Sequence, residues 1–217
     1  MSHDNRLAKN GPQVRLMEVQ VPERDRVDAM RNTQSILEAA DELLRSSESL
    51  EDVTMSGVAA RAKVGKGTVY RAYADKAALL KAVMAQRSAP LREAIASSDG
   101  DLGASRPPEE RLIAVLGALT RFKLDNRLLS SALEQLGSGS PYDAATYGWW
   151  HSLISDIIHD TTDEVDVSYL AHLLLAGVRS DLLEHLLTGG LRPTDIIADV
   201  EATARSLIGS IARRTRN

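Results

Sequence analysis

Apolar residues recur along this chain at the spacing of a helix surface, and nowhere at the alternating spacing of a strand. In residues 31–47, Ile36, Leu37, Ala40, Leu43 and Leu44 fall at i, i+1, i+4, i+7 and i+8, one stripe of a helix. Thr54 is placed to cap a second helix with Met55, Val58, Ala59 and Ala62 on one face. A short third helix follows, pairing Val69 with Tyr73, and Asp75 opens a fourth over 76–87 with Leu79, Leu80, Val83 and Met84 inward. Further amphipathic runs cover 89–98, 107–124, 126–137, 141–160, 164–188 and 193–214, parted by Gly-, Ser- and Pro-rich loops. The pattern shows no internal repeat. The fold class is all-α.

At 217 residues with 43% hydrophobic content, the chain can bury two compact units. Absence of cysteine removes disulfides, thiolate zinc sites and cysteine nucleophiles. No apolar run approaches the roughly 20 residues of a membrane span, so no membrane partner is expected. Residues 1–25 lack both the apolar segment of a secretory leader and helical periodicity, and Gly11-Pro12 interrupts them. They read as a flexible extension, and the expected location is cytoplasmic. No nucleophile-elbow, phosphate-loop or zinc-helix pattern occurs. Asp156, His159 and Asp160 share one turn, but without a ligand from elsewhere they read as an exposed polar face. No catalytic residue, metal or cofactor is expected.

Charge is unevenly distributed. Residues 61–81 hold six bases (Arg61, Lys63, Lys66, Arg71, Lys76, Lys81) against Asp75 alone, a net of +5 in a chain whose total is −4. A basic patch on an acidic body points to a local polyanion contact. Two short helices joined by a tight turn and braced by a longer one make a helix-turn-helix, which seats its second helix in a DNA major groove. Small residues suit such close docking, since Gly67 lets the backbone approach DNA and Ala72 keeps bulk off the helix. Lys66, Thr68, Tyr70 and Arg71 are left for the groove and its walls. Lys76, at a helix start, stands where a cation is disfavoured by about 0.3–1 kcal/mol, which suggests a phosphate shared with free backbone N–H groups.

The stretch VTMSGVAARAKVGKGTVYRAYADKAALL, with its GT-x-Y, Tyr73 and Lys76…Leu79-Leu80 in register, resembles the DNA-binding domain of the TetR/AcrR family of bacterial transcriptional repressors. The resemblance spans about residues 31–85. It implies a DNA-binding domain over 26–75 and a ligand-binding and dimerisation domain over 76–217. It implies phosphate contacts from Thr54, Ser56, Thr68 and Lys76, and a base-facing surface from Lys66, Gly67, Tyr70 and Arg71. Lys63 replaces the usual turn glycine, so a left-handed non-glycine costing roughly 1–2 kcal/mol is expected there, with a phosphate in its reach. Gly65 replaces the usual capping serine. The family's common histidine and proline are Ala72 and Ala74 here.

The resemblance also makes the last two long helices, 164–188 and 193–214, a homodimer interface; periodicity alone fits a buried core equally well. Phe122, Tyr147, Trp149, Trp150, His151 and His172 are candidates to line an apolar effector pocket, with Arg179 or Arg121 orienting an acidic ligand, although helical Trp is as readily core. The reading that follows is a ligand-responsive regulator, most simply a repressor, binding a palindromic double-stranded DNA operator as a dimer and released by a small-molecule effector. Two alternatives stand beside it: a ligand-independent DNA organiser of the same fold, and a helical enzyme with an anion-binding patch.

Overall fold

The computed structural model describes residues 23–135, 142, 144–161 and 166–214. Residues 1–22, which hold most of the expected flexible extension, and the Gly/Ser loop at 136–141 lie outside them. The described residues form ten α-helices and a 3-10 turn, with no strand among them. The first three helices are α1 (Glu23–Ser46), α2 (Met55–Arg61) and α3 (Lys66–Ala72), with the 3-10 turn Leu50–Asp52 between α1 and α2. Then come α4 (Lys76–Ala96), α5 (Pro108–Asp125), α6 (Arg127–Gln135), α7 (Ala145–His159), α8 (Val167–Ala176), α9 (Ser180–Thr188) and α10 (Pro193–Arg214). Helix α1 already begins at Glu23, so a domain border at 25/26 falls inside its first turn.

Two main cores divide the chain. Ile36, Ala40, Leu44, Val53, Val58, Val69, Leu79, Leu80 and Val83 close the first, the face that the periodicity marked. The second is built from Ile95, Leu112, Val115, Leu116, Leu119, Ile154, Ile157, Ile158, Ala171, Ala204 and Ile208. Leu129 on α6 is 1% exposed and belongs to the first core, with Leu128 and Leu133 packed beside it. The body thus reaches into the N-terminal unit.

The sequence reading separated residues 76–87 from 89–98, but α4 runs unbroken through Pro90. At about 1.5 Å per residue its 21 residues span roughly 31 Å, enough to place Leu79, Leu80 and Val83 in one core and Ile95 in the other. Pro90 lies on the exposed side, where the Gln86 carbonyl that loses its helical partner can turn to water. Midway, Arg87 anchors α4 to both neighbours. Its Nε donates to Asp41 Oδ1 of α1 at 2.5 Å, and its Nη1 to Asn126 Oδ1 at the α5–α6 junction at 2.8 Å. The ionic side chains are only 14% and 15% exposed.

The expected long helix over 164–188 is two helices. Val178 is driven into the core at 1% exposure, and Arg179 adopts an extended backbone (φ −64°, ψ 142°) that starts α9. No side chain of the α9 N-cap residue satisfies the helix start. Glu134 of α6 does so instead: its Oε2 accepts the Ser180 N–H at 3.0 Å and its Oε1 accepts the Ser180 hydroxyl at 2.8 Å and Lys123 Nζ at 2.7 Å. One turn on, Arg127 Nε and Nη2 donate to the two Glu184 oxygens at 2.7 and 2.6 Å. The apolar stripe continues through the break, so periodicity could not reveal it.

Two outcomes are expected. Leu129→Ala should lower unfolding stability by about 2–5 kcal/mol, as for other buried leucines, measured by denaturant titration. The hydrogen bond from Arg127 holds the Glu184 carboxyl below its ordinary range, against an opposing push from burial. A depressed carboxyl contributes stability above its unfolded pKa that is lost as pH falls through the folded one. Glu184→Gln should therefore flatten part of the acid limb of thermal stability while leaving stability near neutrality less changed in its pH dependence.

Candidate nucleic-acid interface

The first functional surface is built on the turn between α2 and α3. Thr54 caps α2 as expected, its Oγ1 accepting the Gly57 N–H at 3.0 Å. At the far end the Val64 N–H donates to the Ala59 carbonyl at 3.0 Å and the Lys63 N–H to Ala60 at 3.2 Å, the paired bonds of a Schellman turn. Such a turn needs a left-handed residue after the cap, and Lys63 supplies it at φ 57°. Gly65 then opens α3 with an extended backbone and no side-chain cap.

This turn fixes which way α3 points its residues. Val69 is fully buried and Tyr73, the C-cap, is half-buried against the first core. Lys63, Lys66, Gly67, Tyr70 and Arg71 are exposed, Thr68 is half-buried, and Ser56 is exposed on α2. Lys66 Nζ stands 6.0 Å from the Tyr70 ring centre. Arg71 lies back along its own helix, with Nε donating to the Gly67 carbonyl at 3.3 Å and Nη2 to Thr68 Oγ1 at 3.4 Å. These bonds are long and involve no acid, so the guanidinium keeps its charge available.

Two members of the basic run have other partners. Arg61 pairs with Glu42 of α1 at 2.7 Å. The half-buried Lys76 ammonium reaches across to the Leu50 carbonyl of the 3-10 turn, while Asp75 Oδ1 caps α4 by accepting the Ala78 N–H at 2.7 Å. A carbonyl 26 residues upstream gives this lysine a partner within the folded chain at its helix start. Lys63, Lys66, Arg71 and Lys81 carry no ion pair among the described residues and remain as outward positive charge.

Gly67 has open space around it: a Cβ built there meets no atom within 4 Å. Nothing in the folded chain demands glycine at that position.

The second candidate surface, in the body, is only partly assembled. Tyr147, His151 and His172 do come together. Tyr147 Oη lies 2.7 Å from His172 Nδ1, and the two imidazole centres are 4.1 Å apart. His151 Nε2 reaches the Ser168 carbonyl at 3.1 Å. Burial holds the Tyr147 phenol above its usual range, with Tyr142 adding to the rise and Arg179 opposing it. Trp149 and Trp150 pack edge-to-face at 4.7 Å, and the Arg92 guanidinium covers Trp149 at 4.3 Å. Arg179 is held by Asp181, Nη2 to Oδ2 at 2.9 Å, and half-buried Phe122 lends its carbonyl to Asn126. These rings satisfy one another.

The open space lies elsewhere, in a groove of about 1050 Å³ between α5, α8, α9 and α10 whose lining includes Leu116, Leu173, Leu182, Leu186, Ile196 and Val200. None of the expected ligand residues lines it; Tyr147, His151 and His172 meet at the α7–α8 contact instead. The usable sequence signal was an excess of apolar residues on α8 and α9, where Tyr169, Leu173 and Leu182 remain exposed.

Residues 36–83, which span the helix-turn-helix and its core, match the family model for bacterial regulatory proteins of the tetR family. That segment is a DNA-binding region of the tetR type. The fold of the chain is shared with solved transcriptional regulators of that kind. One, a TetR transcriptional regulator from Rhodococcus sp. RHA1, is 24% identical with a TM-score of 0.53, over 84% of this chain and 97% of the other. A second transcriptional regulator from that organism is 18% identical with a TM-score of 0.60, over 81% and 95%. A TetR-like regulator, again from Rhodococcus sp. RHA1, is 20% identical with a TM-score of 0.55, over 82% and 96%. At such identities the likeness establishes the fold. No curated protein matches the chain. The matched segment is the one that carries the helix-turn-helix, and none of the described helices is long and apolar enough to cross a membrane.

Gly67→Ala is expected to stabilise this TetR-family domain by about 0.5 kcal/mol, since alanine fits the open site and favours the helix. Thermal unfolding of the full chain checks it.

Proposed function

We propose that the protein is a ligand-responsive repressor that binds a palindromic operator as a homodimer in the cytoplasm. The observation that carries this reading is the exposed cationic face of α3, set by a Schellman turn on a chain of opposite net charge. In this reading Lys66, Gly67, Tyr70 and Arg71 meet base edges, while Thr54, Ser56, Lys63 and Thr68 meet phosphates. Lys76 acts indirectly, by fixing the start of α4 to the Leu50 carbonyl. Residues 26–75 are the DNA-binding unit, 76–217 the pairing and effector-binding unit, and 1–25 an extension.

Dimerisation is supported by the α8–α10 groove. Tyr169 (67% exposed) and Leu173 (48%) stand proud of α8, whereas Ala202, Thr203, Ser206 and Ser210 keep the facing strip of α10 shallow. Bulky residues beside a shallow apolar strip let two copies interlock about a two-fold axis. Two recognition helices about 34 Å apart, or a multiple of it, then read successive grooves. A small-molecule effector bound in the body releases DNA if it prefers the mis-spaced arrangement. Helix α4, buried in both cores, is the element that would carry the shift.

Selection of bound duplexes from a random pool by the purified protein is expected to return a palindrome; recovery of sequence-unrelated duplexes would sink the reading. Arg71→Ala should weaken the selected site and blur its sequence. Lys66→Ala should lower the slope of log affinity against log salt by about 0.9 per protomer if it neutralises one phosphate. Gly67→Ala should weaken DNA binding despite its gain in stability, a separation that a purely structural glycine would not give.

A further inference from the structure

Helix α6 touches both halves of the molecule through different residues. On one side Leu129 is buried in the first core and Leu128 and Leu133 pack beside it. The same helix packs on the Leu50–Asp52 turn, whose Leu50 carbonyl holds Lys76 at the start of α4, four residues after α3 ends. On the other side Glu134 caps α9 through Ser180, and Arg127 grips Glu184. Helix α9 in turn supplies Leu182 and Leu186 to the apolar groove.

We propose that α6 is a strut between the pairing groove and the helix-turn-helix, so that seating a second copy on the groove steadies the recognition helix. The proposal rests on the homodimer reading above. Its physical basis is a continuous series of specific contacts: groove, α9, the Glu134 cap, α6, the Leu50 turn, Lys76 and α3. The Glu134 and Arg127 bonds to α9 are short and directional, so a displacement of α9 cannot be absorbed without moving α6 or breaking them. Ser180 is 3% exposed, and an uncapped N–H there would be left without water. That makes the cap costly to release. Glu134 and Arg127 act as positioning residues, remote from DNA and from the partner. By reciprocity, DNA that holds α3 in place also tightens pairing.

The test is amide hydrogen exchange of the full chain at residues 50–72, with sedimentation reporting oligomeric state. Leu173→Glu, at an exposed groove position, is expected to give a monomer whose 50–72 amides exchange on the order of tenfold faster, within the usual range of coupling between sites. In the Arg127→Ala/Glu134→Ala background these amides should already exchange fast, and Leu173→Glu should add nothing. Glu134→Gln keeps an acceptor for the Ser180 N–H and should restore the response. An equal response to Leu173→Glu in both backgrounds, or none in the otherwise native chain once it becomes monomeric, would overturn the strut. A native chain that sediments as a monomer overturns the dimer reading itself, and the strut with it.

Discussion

The Arg87–Asp41 ion pair holds the two halves of this protein in one arrangement. It lies where α1, α4 and the α5–α6 junction converge, and both ionic side chains are largely withdrawn from water. A pair in such a position does not need to add much net stability, because desolvation offsets its Coulomb attraction. Its importance is geometric. Removing one partner leaves the other charged and buried, a loss typically of about 3–5 kcal/mol, so α1 and α4 cannot slide past one another cheaply. The guanidinium also fixes Asn126, whose backbone carbonyl accepts the first bond of α6 from Ser130 at 2.8 Å. This junction acts together with α4, which runs through both cores, and with Leu129 of α6 in the first core, to orient the N-terminal unit on the body.

The recognition surface uses strain and openness together. A left-handed lysine costs energy that a glycine would not, and the Schellman bonds on either side of it keep it there. In exchange a positive charge is held at the corner between the two helices, beside the exposed face of α3. Pairing of Arg61 with Glu42 and tethering of Lys76 to a carbonyl reduce the outward charge below what the sequence count suggests. A smaller, better-placed cationic face suits selective binding more than general stickiness, since phosphate attraction alone carries no sequence information.

On the body, the same economy of partners distinguishes filled from open surface. The Tyr147, His151 and His172 rings and their Ser168 contact are mutually satisfied. The α8–α10 face has large exposed apolar residues with no covering element among the described residues. An apolar groove of that size is a place for something to bind. Breaking 167–188 into two helices shapes it, because the turn at Gly177–Arg179 lets α9 follow α6 while α8 follows α7.

The all-α class and the helix-turn-helix were legible from residue order alone, because both depend on interactions within about four positions. The Ile36–Leu44 stripe and the Thr54 and Asp75 caps are of this kind, and each appears where the sequence places it; the left-handed Lys63 was expected from the family resemblance, and it too is found. What the sequence could not supply are contacts between residues far apart in the chain. Lys76 finds Leu50 across 26 positions, Arg87 finds Asp41 across 46, and Arg127 finds Glu184 across 57. Leu129 looks like any other apolar helix residue until the fold inserts it into the N-terminal core. Periodicity tells which face of a helix avoids water; only the packed structure decides what that face, or a charged side chain beside it, will meet.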